Sequence, residues 1–120
     1  MWARAFIFSV MLLPLQASIT SLDLSADQWL IGLANPKDIH SVSYLAKDPQ
    51  LSYLADKAQS LKVHTGSPEA LLLDSSIKVA IGYEPIAPLI KKICKKKDIT
   101  LIALSHPTSF KELKAQILFM

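Results

Sequence analysis

Two apolar periodicities take turns along this chain. Short runs of β-forming residues, at 19–22, 39–43, 61–64, 77–83 and 99–104, are separated by stretches whose apolar residues recur every three or four positions. The first of these stretches, ADQWLIGLAN, puts Ala26, Trp29, Leu30, Leu33 and Ala34 on one stripe, which predicts an amphipathic helix with that face buried. Ser25 followed by Gln28 is a capping-box pair, and Asn35-Pro36 closes the helix, because proline disfavours helical geometry in the residue before it. Asp48-Pro49 opens a second helix, with Asp48 as cap and Leu51, Leu54, Ala55 and Ala58 as its stripe. Ser67-Pro68-Glu69 caps a short helix that runs through Leu73. Glu84-Pro85 starts a helix carrying Ile86, Leu89, Ile90, Ile93 and Cys94, with Pro88 in its first turn, where a missing N–H costs little. Thr108 or Ser109 caps a last helix with Phe110, Leu113, Ile117 and Leu118.

Strands separated throughout by helical segments predict a mostly parallel sheet covered by helices on both faces, a doubly wound α/β fold in one Rossmann-like lobe. Residues 77–83 form the clearest strand, and Gly82 marks a close backbone approach near its end. Residues 99–104 read as a strand of the buried type.

Composition narrows the class. At 120 residues the chain holds one domain, and 51% hydrophobic content excludes disorder. The net charge of +3 is modest. Lys91, Lys92, Lys95, Lys96 and Lys97 lack the interleaved aromatics of a nucleic-acid surface, and they suit the negative C-terminal end of their helix better. The single cysteine, Cys94, lies on an apolar stripe and reads as an inert core thiol. Residues 1–17 have the form of a secretory signal, with Arg4 in a short positive segment, an apolar run over 5–13 and Ala17 before the expected cut. Export is therefore expected, with residues 18–120 as the mature domain.

Open α/β sheets bind ligands outside the carboxyl ends of their strands. That rule selects Asp23 and Ser25 after the first strand, Tyr44 after the second, Tyr83 and Glu84 after the fourth, and His106 after the fifth. Tyrosine and histidine offer flat apolar faces with polar tips, which suits a metal chelate or a large planar molecule. His64 lies on the same edge, whereas His40, within a strand, reads as structural. No glycine-rich phosphate loop, GxSxG elbow, CxxC pair or HExxH motif occurs, so neither a catalytic residue nor a metal ligand or cofactor is assigned.

Strand, turn and ADQWLIGLAN, followed by GSPEALLL, the strand VAIGY and the helix start SFKELKAQI, resemble the N-terminal lobe of periplasmic binding proteins for iron–siderophore complexes and cobalamin. The resemblance implies a solute receptor of an ATP-driven importer, whose ligand sits in a cleft between two lobes. It also implies that Glu69, in the first turn of its short helix, docks on the transporter permease. Simple stabilisation of the helix N-terminus is the other reading of Glu69. Ser75-Ser76-Ile77 departs from the family's usual Lys-Pro-Asp before the fourth strand, and the apolar ending Ile117-Leu118-Phe119-Met120 reads as a copy cut short that self-associates through that end. The alternatives are a secreted α/β interaction domain and a small α/β enzyme using Asp23, Tyr83 and His106.

Overall fold

A computed structural model describes residues 18–119. The expected signal segment, its cut after Ala17 and the terminal Met120 lie outside the described residues. Five strands, β1 (Ile19–Ser21), β2 (Ile39–Ser43), β3 (Val63–His64), β4 (Val79–Tyr83) and β5 (Thr100–Leu104), form one sheet in the order β3-β2-β1-β4-β5. Every neighbouring pair is parallel. The helices between and after them are α1 (Leu24–Leu33), α2 (Ala55–Ala58), α3 (Pro68–Leu73), α4 (Pro88–Lys96) and α5 (Phe110–Phe119), with single 3₁₀ turns at Pro36–Asp38 and Tyr44–Lys47. This is the doubly wound parallel α/β lobe that the alternation of elements predicts.

Strand alternation divides the core between two faces. On β4, Ala80 packs with Leu71 of α3 and with Ile90, Ile93 and Cys94 of α4, whereas Ile81 and Tyr83 pack with Ala26 of α1. Beneath α1 and α2, Ile39 and Val42 of β2 join Leu30, Ile31 and Ala58. Two residues three apart share a face only if the strand gains a residue between them. The pairing shows that bulge, since Ile19 faces Ile39 but Thr20 faces Ser41. The bulge turns both His40 and Ser41 toward the α3–α4 face.

Several helices differ in phase or length from the expectation. Asp23 caps α1, its Oδ1 accepting from the Ala26 amide at 2.8 Å, so Ser25 lies inside the helix. The buried set is Ala26, Asp27, Leu30 and Ile31, and Leu33 is 56% exposed. Asp27 sets this rotation, because its carboxylate accepts from the Ser43 amide at the end of β2. Gln28, rather than completing a capping box, donates to Ser52 Oγ and accepts from the Leu54 amide. The second helix shrinks to Ala55–Ala58 because Asp48 turns the chain at once, holding the Gln50 amide by its carboxylate and the Leu51 amide by its carbonyl. Leu51 is left exposed.

Helix α4 begins at Pro88, after a cis Glu84–Pro85 bond, and Ile86 packs on the core from outside the helix. Gly82 meets the expected close approach, since a Cβ there would lie 3.0 Å from Leu22 Cδ1. Strand β5 lies at the sheet edge and is half open, with only Leu104 buried, in place of the buried strand expected. Helix α5 is capped by Ser109, whose Oγ accepts from the Glu112 amide, while the Glu112 carboxylate reaches back to accept from the Thr108 amide. None of its described residues is buried.

Candidate ligand-binding edge

The sheet order reverses direction between β1 and β4, and the crevice outside the carboxyl ends of those strands is where open α/β sheets hold ligands. Asp23 stands there but is fully engaged. Its Oδ1 caps α1, and its Oδ2 accepts from the Tyr83 amide at 2.8 Å, tying β1 to β4 at their ends.

Tyr83 turns inward. Its hydroxyl accepts from Trp29 Nε1 and donates to Gln116 Oε1 at 3.1 Å, and the ring is 8% exposed. His106 stacks on it with ring centroids 4.5 Å apart and planes 19° from parallel. The exposed imidazole is therefore the accessible surface of this pair. Gln116 Nε2 also donates to the Ser105 carbonyl, so α5 is fastened to the same corner.

Glu84 follows Tyr83. The Ile86 amide, donating to Oε2 at 2.8 Å, and the Lys91 ammonium, 3.3 Å from Oε1, hold its carboxyl below the usual carboxylate range. Across β1 from this group, Tyr44 follows β2 with 56% of its surface exposed. Ser25 is exposed in the first turn of α1. Four of the expected residues, Asp23, Tyr83, Glu84 and His106, thus form one connected corner, while Tyr44 and Ser25 extend the edge beyond it. Glu69 lies elsewhere, exposed in the first turn of α3.

Beneath the edge lies a buried polar tie that no motif announces. Asp27 is 0% exposed, and its carboxylate accepts from both the amide and the hydroxyl of Ser43. Burial pushes its pKa above the ordinary aspartate value, against the opposing hydrogen bonds from Ser43. His64, at the end of β3, accepts from the Gly66 amide through Nδ1, which leaves Nε2 to donate to the Ser21 carbonyl. The bond to Ser21 ties the end of β3 to the end of β1 across β2. The available signal was a polar residue beside Ala26, Leu30 and Ile31, on the face of α1 that is buried.

A cleft of about 480 Å³ runs from this edge under the sheet, between α3, α4 and the β1–β2 face. At its far end His40 Nε2 donates to Asp74 Oδ2 at 2.7 Å, and Lys62 Nζ lies 3.5 Å from the same oxygen. Ser76, donating through both hydroxyl and amide, together with His40 holds the Asp74 carboxyl well below its ordinary pKa. Burial raises the Cys94 thiol pKa, and Cys94 packs in the core under α4. Among the described residues no group of three or more histidines, cysteines or carboxylates is placed to hold a metal ion.

The architecture defines a single parallel α/β lobe whose exposed aromatic and imidazole surface lies at the carboxyl edge of its sheet. No family of proteins, characterised protein or solved structure matches this chain.

Proposed function

We propose that this lobe is a solute-binding domain of the kind that serves ATP-driven importers of metal chelates, and that its carboxyl edge is one wall of the ligand cleft. The observation that carries the reading is the Tyr83–His106 stack at the β1/β4 reversal, with Tyr44 exposed across β1. A flat imidazole backed by a buried ring, and a phenol beside it, suit the broad apolar faces and polar margins of a siderophore complex or a corrinoid. Glu69 stands exposed in the first turn of α3 and on this reading meets the permease. Such a receptor works in the periplasm, and the signal-like segment at residues 1–17 supports export. The enzyme alternative would need free atoms on Asp23 and Tyr83, whose carboxylate and hydroxyl are engaged in internal bonds.

Ligand-linked stability tests the proposal, because a molecule that binds only the folded state raises its melting temperature. Thermal unfolding with ferric hydroxamate, ferric catecholate and cyanocobalamin should show an upward shift for one of them. His106→Ala and Tyr44→Ala should abolish that shift. No shift with any of the three contradicts the reading.

A further inference from the structure

We infer that the cleft under the sheet is a second binding site, for a small neutral and largely apolar molecule that carries one hydrogen-bond donor. The cleft opens at the rim and shares Asp23 and Tyr83 with it, but the inference does not depend on what the rim binds. The volume of about 480 Å³ falls within the range of small-molecule pockets, roughly 300–1,000 Å³. Much of its wall is apolar, with Leu71, Ile77 and Ile90 buried in the core and Leu22 and Ile86 packed against them.

Charge decides the class of ligand. At the far end Asp74 already faces both His40 and Lys62, so an entering anion meets a carboxylate and an entering cation meets an ammonium. No buried side-chain nitrogen or oxygen among the described residues lacks a hydrogen-bond partner, so nothing inside calls for a counter-charge. Burying an unpaired charge there would be costly.

Hydroxyl groups decide the polar end. The bulge in β2 brings Ser41 beside Thr20, their oxygens 2.7 Å apart, and both line the cleft. Ser41 Oγ also lies 2.9 Å from His40 Nδ1. With His40 donating through Nε2 to Asp74, the Ser41 hydroxyl either donates to a neutral Nδ1 or, beside an imidazolium, accepts from it and donates to Thr20 Oγ1. The Thr20 proton in turn goes to Ser41, through its hydroxyl or its carbonyl. Both hydroxyl protons are thereby used, while lone pairs on the two oxygens remain. The floor of the cleft can therefore accept a hydrogen bond but has no proton left to offer.

Three probes of one size separate the possibilities: 2-naphthol, which donates, 2-methoxynaphthalene, which cannot, and 2-naphthoate, which is charged. Amide chemical-shift titration of the full chain should give saturable binding of 2-naphthol, with shifts centred on Thr20, Ser41 and Leu71. The ether and the carboxylate should bind at least about tenfold more weakly, a difference of one decade in Kd. Ala87→Phe, at an exposed position on the cleft mouth, and Leu71→Phe, in its wall, should each weaken 2-naphthol binding. Because Ala87 is exposed, its variant keeps the test valid if the wall variant unfolds. Absence of saturable 2-naphthol binding, equal affinity for all three probes, or binding unchanged in Ala87→Phe and in a folded Leu71→Phe would overturn the inference.

Discussion

Asp27 is the residue whose environment departs furthest from what its type prefers. A carboxylate wholly removed from water is held by one amide and one hydroxyl of Ser43, and burial still leaves its pKa raised. A raised folded-state pKa means that the favourable contribution is complete below the unfolded pKa and is lost as pH rises through the folded one. The substitution Asp27→Asn would keep an acceptor for the Ser43 amide and leave no charge to bury. The stability of the variant relative to the parent should therefore increase as the pH rises above about 4, read as urea midpoints at each pH. A difference that stays constant over that range contradicts the assignment. Asp74 has the opposite sign. Hydrogen bonds from Ser76 and His40 depress its pKa, so its contribution is present above the unfolded value and fades as acid titrates it. Neither group was legible in the sequence as a pair. Asp27 meets Ser43, and Asp74 meets His40, only after strands and helices have been brought together from distant parts of the chain.

At the scale of elements, order and type were readable and rotation was not. Periodicity located α1, but two neighbouring stripes on ADQWLIGLAN are nearly equivalent in apolar content. The tie from Asp27 to β2 selects the one with Leu30 and Ile31 inside and Leu33 outside. Leu30→Ala should accordingly cost about 2–5 kcal/mol, as buried leucine truncations do. Leu33→Ala should fall within about 0.5 kcal/mol of the parent, the range of surface changes. Reversed costs in chemical denaturation would show that the helix face is assigned wrongly. A second element-scale test lies at the end of α4, where Asp98 holds a positive φ of 57° and the Ile99 amide closes on the Cys94 carbonyl at 2.8 Å. That left-handed position favours glycine, as it does after many helices. Asp98→Gly should raise stability by about 0.5–1 kcal/mol, and a loss of stability would contradict the strain reading. The shortening of the second helix was hidden for a different reason. Asp48-Pro49 is a good helix start and an equally good turn, and the bonds to Gln50 and Leu51 decide for the turn.

At the scale of the whole molecule, the parallel order β3-β2-β1-β4-β5 fixes which loops share an edge, and the sequence was enough to place Asp23, Tyr83, Glu84 and His106 on it. It could not tell surface from support. Asp23 and Tyr83 look alike as loop-end polar residues, yet both are engaged internally, whereas His106 and Tyr44 present open faces. The cleft was illegible for the same reason, since its lining comes from separate elements on one face of the sheet. The central claim, a chelate-binding edge at the β1/β4 reversal, is tested most directly by mapping amide shifts during titration with a diamagnetic gallium-loaded hydroxamate chelate, with cyanocobalamin as the second probe. One of the two should give saturable shifts clustered at Ser25, Tyr44, Glu84 and His106 and absent from α2. Saturable shifts that leave all four unmoved, or no saturation with either probe, would contradict the account.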